Sequence, residues 1–455
     1  MRTAEPDSLA ELFARALQLE AQGRDAEAQA AYINVISQDG AHFDALIALG
    51  NLLNRTGYRN AGRLSYLEAA KARQSPIAYV NLGNTYLDTD ELELARKHFE
   101  RALELEPAQP EAHQGMSYVF ARLGDERSAR RHRDLGFRDR AVAAFPFRGQ
   151  ARPIRAVLLV SAAGGNIGTT DLLDDRMFAT TRIFAEYFDR SAPLPEHDIV
   201  FNAIGDAERC IDGLVSASAL LAATDAPVVN PPARVRETSR IAVCERLRNI
   251  PGLLTAAARP VSRAQAGEGA RFPLLLRAPG FHTGHHFVRI DRADQIARAV
   301  EALPDGDLIA MNYLDGRGSD GMYRKYRVML IDGRLYPLHL AIGPDWKVHY
   351  FTADMAHNTA HQEEERGFLG DMEGTLGSGA IAVLEEIQRR LGLDYAGVDF
   401  GLDADGNVLL FEANATMTVP SREVNVQLAY RVPYHERVIN AVRLMLQRKA
   451  KSAGN

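Results

Sequence analysis

Residues 397–417 read GVDFGLDADGNVLLFEANATM, and the rest of the chain is organised around this stretch. GVDFGL and VLLFEAN alternate or run apolar as strands do, and DADGN between them carries turn chemistry. A loop from Ala404 to Asn407 pairs Asp403 with Val408, and the same register sets Asp399 opposite Glu412. Because side chains alternate along a strand, Glu412 and Asn414 share one face, with Phe411 and Ala413 on the other. Two carboxylates and an amide oxygen then converge on one patch of sheet. Such an all-oxygen cluster suits Mg²⁺, above all where a nucleotide's phosphates complete the shell. An ordinary solvated hairpin face is the alternative reading of the same spacing.

The full chain has 455 residues, enough for about two to four domains that each bury a core. Its 46% hydrophobic and 25% charged content is that of a soluble globular protein. A net charge of -6 gives no global attraction to nucleic acid or to anionic membrane. Cys210 and Cys244 stand far apart, which excludes a disulfide scaffold or a cysteine zinc site and fits a reducing compartment. No apolar run approaches a membrane span, and MRTAEPDSLAEL lacks the regions of a signal peptide, so a cytoplasmic location is expected.

The first third carries an internal repeat. Turns fall at Gly23, Gly57, Asp90 and Gly124, spaced by 34, 33 and 34 residues. Five residues after each stands a small residue: Ala28, Gly62, Ala95 and Ala129. Nine after stand Tyr32, Tyr66, Phe99 and then Arg133, which breaks the pattern. With Leu82, Gly83, Tyr86, Ala95, Phe99, Ala102 and Pro107 in place, the third repeat is the clearest. This resembles the tetratricopeptide repeat, a helix pair that stacks into a superhelix. The resemblance implies a protein-interaction module whose groove, lined by Asn51, Asn81 and Asn84, binds a peptide. The other reading is that the array only packs on the next domain or on a second copy.

After AVAAFPFRGQARP, expected as a connector, RAVLLV, HDIVFN and APVVNPP read as strands of a parallel sheet. GGNIGT is a poor match to a dinucleotide turn. Downstream, FPLLLRAPG and DLIAMNYL are further strands, and a hairpin turns at Asp332 and Gly333.

Asp, a turn, then Glu-x-Asn closing a second strand resembles the metal-binding signature of the ATP-grasp ligases. That superfamily includes D-alanine–D-alanine ligase, glutathione synthetase and the ribosomal-protein glutamate ligases. The likeness covers about residues 155–445. It is specific at 397–414, fair at 230–240 and 270–287, and loose elsewhere. It implies that Asp399, Glu412 and Asn414 hold Mg²⁺ ions bridging ATP phosphates. Arg240 and Arg277 stand where relatives place two phosphate-gripping lysines. Arginine can grip phosphate bidentately, yet the double replacement leaves open weaker affinity, an unusual subfamily or a pseudoenzyme. Gly280 and Gly284 belong to a phosphate-covering loop that also carries His282, His285 and His286. Met311, Tyr313 and Leu314 line the adenine pocket, and Asp315 is the ribose acid. Arg327 faces phosphate or a substrate carboxylate, and Lys347 contacts the terminal phosphate. Gly164, Gly165, Asn166 and Asn202 are candidate substrate contacts; the alternative is that they satisfy turns and strand ends.

The expected fold is therefore multidomain: an all-α tetratricopeptide-like solenoid over 1–140, a linker over 141–153, then an α/β domain over 154–235. An α+β ATP-grasp domain follows, with a lid subdomain at 236–315 and a metal-bearing subdomain at 316–455. The resemblance implies an ATP- and Mg²⁺-dependent carboxylate–amine ligase, forming an amide through an acyl phosphate. Its substrates would be small-molecule or peptide acids and amines, and ligases of this type are often homodimers. Two alternatives are a degenerate ATP-grasp interaction protein and an ATP-grasp phosphotransferase.

Overall fold

At Gly23, Gly57, Asp90 and Gly124 the backbone turns left-handed, with φ of 71°, 91°, 61° and 81°. That conformation ends a helix most readily at glycine or, less freely, at Asp. A computed structural model describes residues 8–280, 284–350, 353–420 and 425–452. It divides into two compact units, Met1–Ala141 and Val142–Asn455.

The first unit contains the helices α1 (Leu9–Ala21), α2 (Asp25–Gln38), α3 (Phe43–Arg55), α4 (Arg59–Ala72), α5 (Pro76–Asp88), α6 (Leu92–Leu105), α7 (Pro110–Arg122) and α8 (Glu126–Phe137). The helices pack as consecutive pairs, and each pair packs on the next. Aromatic residues enforce the stacking. The Phe99 ring fills a slot between Gly83 and Gly115, where a Cβ would come within 2.5 and 2.2 Å of it. Tyr66 lies against Gly50 in the same way, at 2.4 Å. Those glycines in mid-helix cost backbone entropy, which the buried rings more than offset. Arg55 reaches back to Asp25 at 3.1 Å and Glu20 at 3.0 Å, and Arg122 to Asp90 at 2.8 Å, stapling neighbouring turns.

The last helix pair holds two histidines. His113 Nε2–H donates to the Pro107 carbonyl at 3.0 Å, which leaves its Nδ1 to accept from His132 Nδ1–H at 2.9 Å. A proton added at His113 Nδ1 would set two N–H groups against each other. Burial, then the neighbouring His113 and Arg131, hold His132 down at about 4. The unfolded chain takes up this proton below its ordinary value near 6.5, whereas the folded chain declines it. Stability from this pair is therefore complete above pH 6.5 and is lost as pH falls toward 4. We expect the helical melting temperature to drop across that window, and the His132→Gln variant to show a shallower drop, as followed by circular dichroism.

Among the described residues, the second unit has three sheets. The first has order β1-β3-β2-β4-β5, from β1 (Val142–Ala144), β2 (Ile154–Val160), β3 (Phe178–Phe184), β4 (Ile199–Asn202) and β5 (Val228–Val229). Strands β2 to β5 are parallel and β1 is an antiparallel edge. Part of the 141–153 stretch, expected as a connector, is thus sheet. Among the described residues, the α-helix joining these strands is α9 (Ile211–Leu220), between β4 and β5. After β5 come α10 (Pro232–Arg236) and α11 (Arg240–Leu247).

The strand β6 (Leu253–Thr255) runs parallel to a strand of the third sheet, although the expected boundary assigned it to the lid. The second sheet, order β7-β10-β8-β9, is antiparallel. It comprises β7 (Ala258–Val261), β8 (Leu274–Arg277), β9 (Phe287–Ile290) and β10 (Leu308–Asn312). Leu274, Leu276, Ile290 and Leu308 form its core, against which Ile296 and Val300 of the α12 region (Ile296–Glu301) pack.

The third sheet, order β12-β11-β13-β14-β6, adds β11 (Tyr323–Ile331), β12 (Arg334–Gly343), β13 (Tyr395–Leu402) and β14 (Val408–Asn414). The hairpin between β11 and β12 turns at Asp332 and Gly333 with φ of 53° and 81°, the doubly left-handed turn expected from that dipeptide. Helices α13 (Thr359–Gly370), α14 (Met372–Leu391) and α15 (Val432–Ser452) pack on this sheet or its edge strand β12. Tyr326 stacks on Phe400 at 5.4 Å and meets Phe368 of α13 at 5.1 Å, so the Tyr326 face is the covered one. On the β12 edge, Glu365 of α13 accepts from the Leu340 N–H at 3.0 Å and from Arg431 at 2.7 Å. Among the described residues, no helix is long and apolar enough to cross a membrane.

Candidate functional site

The face of the third sheet opposite Tyr326 carries a cross-strand row, buried at His339 and Asp399. His339 of β12 pairs with Arg327 of β11, Arg327 with Asp399 of β13, and Asp399 with Glu412 of β14. The pairing of Asp399 with Glu412 is the expected one, but it is reached differently. Near the turn the register is Leu402 with Val408 and Phe400 with Leu410, leaving a five-residue loop. A bulge at Phe411 then restores the pair. Phe411 is 38% exposed and lies over Gly401, where a Cβ would come within 2.9 Å of its ring. A second bulge, between Arg327 and Val328, adjusts β11 against β12 at the same row.

Asp399 is buried. Arg327 grips it through two bonds, of 2.5 and 2.7 Å, and Lys325 Nζ adds a contact at 3.3 Å. Burial pushes its carboxyl up, but Arg327 and Lys325 outweigh that and hold it well below the usual carboxylate range. Lys325 escaped the sequence reading, although strand alternation places it on the face of Arg327, two residues before it. Glu412 Oε1 accepts from Arg240 at 3.2 Å and from the Asn414 amide NH₂ at 2.9 Å. The Asn414 amide oxygen turns to Thr416, accepting from its N–H at 3.0 Å and hydroxyl at 2.8 Å. The three oxygens therefore do not converge as expected; Asn414 offers its NH₂ to the carboxylate instead.

Glu412 and Asn414 line a narrow crevice with Met311 of β10, Arg240 at the start of α11, and Asp206 and Glu208 from the loop after β4. Glu208 pairs with Arg240 at 2.6 Å. No local sequence signal singles Glu208 out. Arg277 on β8 is buried, and burial, then the nearby Arg240, push it down to about 10. Glu412, Glu208 and Asp206 pull it the other way, so Arg240 and Arg277 share one acidic field.

The other candidates lie around this centre. Leu314 packs at the edge of a cluster of Ala256, Leu275, Ile309 and Met311, together with Trp346. Tyr313 meets Trp346 edge-on at 6.3 Å, and its hydroxyl lies 3.3 Å from Asp315. Asp315 is exposed and also accepts from the Arg317 N–H at 3.2 Å. Gly280 and Gly284 adopt left-handed backbone, with φ of 76° and 77°. Lys347, expected at a terminal phosphate, donates to the Gly284 and Phe287 carbonyls at 3.0 and 3.3 Å and so ties the segment after β12 to Gly284 and the start of β9. His282 and residues 421–424 lie outside the described residues.

Four candidate substrate contacts prove to be local. Asn166 accepts from the Ser161 N–H at 2.8 Å and donates to its carbonyl at 2.9 Å. Asn202 donates to the Asn230 carbonyl at 2.8 Å. Gly164 and Gly165 make a left-handed turn, with φ of 86° and 63°, and the Gly164 carbonyl accepts from the Cys210 thiol at 2.9 Å. In the first unit, Asn51 accepts from the Tyr66 hydroxyl at 2.8 Å and from Asn81 at 3.4 Å, while Asn84 is exposed.

Among the described residues, no three His, Cys, Asp or Glu side chains cluster at metal-holding spacing. The donor set at the row is instead two cross-strand carboxylates with an adjacent amide. That fits Mg²⁺ only where phosphates and water supply the remaining ligands, the usual manner in which this ion is bound.

Residues 76–108 match the tetratricopeptide repeat family. No curated protein matches the chain. Among solved structures, MamA 41-end from Desulfovibrio magneticus RS-1 is 21% identical, with 28% of this chain and 71% of that chain covered and a TM-score of 0.26. PilF of Pseudomonas aeruginosa is 22% identical over 29% of this chain and 61% of that one, TM-score 0.28. YrrB, titled a tetratricopeptide repeat protein with an unusual peptide-binding site, is 18% identical over 28% and 67%, TM-score 0.26. The matched segment and the stacked helix pairs make the first unit a tetratricopeptide-type solenoid, followed by a sheet-containing unit.

Proposed function

We propose that the second unit is an ATP- and Mg²⁺-dependent carboxylate–amine ligase of the ATP-grasp type, and that the repeats recruit a peptide or protein substrate or partner. The observation that carries this reading is the row Arg327, Asp399 and Glu412, its last pair aligned by the bulge at Phe411, with Arg240 and Met311 lining the crevice beside Glu412 and Arg277 in the same acidic field. Proteins accept the irregularity of bulges where side chains must be aimed, and solvated surface pairs need no such device.

In this mechanism Asp399 and Glu412 would hold Mg²⁺, with Asn414 joining them once its amide oxygen turns from Thr416 toward the row, and the ion's chemistry there is neutralisation of phosphate charge. Arg240 and Arg277 grip phosphate oxygens, and Arg327 orients the reacting carboxylate. Met311, Tyr313 and Leu314 seat adenine against the apolar cluster, and Asp315 takes ribose hydroxyls. Lys347 anchors the backbone at Gly284 and Phe287. The acid attacks the γ-phosphate, giving an acyl phosphate and ADP, and an amine then displaces phosphate. Positioning and charge supply the catalysis, with no side-chain nucleophile.

A degenerate, non-catalytic ATP-grasp protein is the second reading, favoured by arginine at both expected lysine positions and by the two carboxylates already on Arg240. Calorimetric titration of ATP and ADP with and without Mg²⁺ tests the proposal. Metal-dependent binding is the expected result, and its absence under every condition overturns it.

A further inference from the structure

Two layers of the second unit compete for Arg240. Its guanidinium donates to Glu208 at 2.6 Å and to Glu412 at 3.2 Å, and its backbone N–H donates to the other Glu208 oxygen at 3.0 Å. Glu208 belongs to the loop after β4, in the layer of the first sheet, whereas Glu412 belongs to the third sheet. The Arg240 and Glu208 side chains are 11% and 14% exposed, so the pair is poorly screened by water.

The loop that carries Glu208 is fixed independently of this contact. Asp206 accepts from the Glu208 and Arg209 N–H groups at 2.8 and 2.9 Å. Gly205 packs so closely on Ala415 that a Cβ would lie 3.1 Å from its carbonyl. Freeing Arg240 therefore requires a change of Glu208 rotamer and no movement of the loop. A carboxylate taking one guanidinium N–H and one backbone N–H presents two oxygens much as one edge of a phosphate does.

We infer that Glu208 is a built-in competitor for Arg240, which must let go before a polyphosphate can be gripped, and so sets the affinity of the site. This rests on the reading of the crevice as a polyphosphate site. Glu412 keeps its own contact to Arg240, so removing the Glu208 charge leaves the cation oriented and available.

The test is calorimetry on the full chain, comparing wild type, Glu208→Gln and Glu208→Asp. Each is titrated with ATP plus Mg²⁺ and with inorganic tripolyphosphate. Glu208→Gln is expected to tighten both ligands by about 5- to 10-fold. Glu208→Asp, whose shorter carboxylate cannot span both donors, should gain less; its gain also carries the test if the Gln variant does not fold. Weaker or unchanged binding in the variants overturns the inference, and Glu208 then merely positions Arg240. Tighter tripolyphosphate binding with no binding of ATP supports the inference and sinks the nucleotide reading. Binding of ATP by wild type with weaker binding by the variants does the reverse. Failure of every protein to bind either ligand overturns both.

Discussion

Glu412→Ala is expected to weaken Mg²⁺-dependent nucleotide binding by about 100-fold or more while leaving the chain folded. Glu412 is half-buried and accepts from Arg240 and Asn414. Removing it takes a carboxylate from the row but strands no cation, because Arg240 keeps Glu208. The loss should therefore be one of metal and phosphate affinity. Loss of a metal's supporting partner alone commonly costs 10–100-fold, and loss of a direct ligand costs more. Calorimetry with ADP separates the cases, since metal-free binding should change little. Full Mg²⁺-dependent binding by the variant would remove Glu412 from the site.

The largest effect on stability is expected at Glu365. Its side chain and that of Arg431 are 0% and 1% exposed. One carboxylate answers Arg431 through bonds of 2.9 and 2.7 Å, the Tyr430 hydroxyl, and the Leu340 N–H at 3.0 Å. Glu365→Ala leaves a guanidinium buried without its counter-charge and should cost about 3–5 kcal/mol. The double variant Glu365→Leu, Arg431→Met removes both charges and should recover much of that loss. Denaturant unfolding measures both. A double variant as unstable as the single would mean that the hydrogen bonds to Tyr430 and Leu340 matter more than charge balance.

What sequence reading captured, and what it missed, follows the range of the interactions concerned. The repeat was readable because its determinants are local: a left-handed turn residue, a small residue, an aromatic. Asp332 and Gly333 announced their hairpin for the same reason. The pairing of Asp399 with Glu412 was anticipated from a loop one residue too short, since a bulge at Phe411 leaves no mark in local composition. The strand Phe178–Phe184 was passed over because Thr180, Thr181 and Arg182 hide its apolar alternation, and its strand character comes from pairing with β2. Lys325 was within reach of the alternation rule. Glu208 and Arg240 meet across 32 residues, and Glu365 and Arg431 across 66, so nothing in either neighbourhood points to the partner. The roles given to Asn166 and Asn202 came from analogy, whereas their hydrogen bonds are spent on the backbone beside them.

Asn230 shows how narrow the choice at a single position can become. Its backbone is left-handed, with φ of 54°, at the end of the first sheet. From there its amide donates to the Tyr395 carbonyl at 2.7 Å and accepts from the Asp394 and Tyr395 N–H groups at 3.0 and 2.9 Å. Its own N–H donates to the Asp394 carboxylate at 3.0 Å. Aspartate tolerates the backbone but has no N–H to give Tyr395, and it would add a second negative charge beside Asp394. Glycine tolerates the backbone and offers no side chain. Glutamine carries the right amide one methylene too far out and loses the left-handed preference. Of the twenty residues one satisfies every demand, so a random mutational library selected for folding should return this codon nearly invariant, with neighbouring surface positions drifting freely.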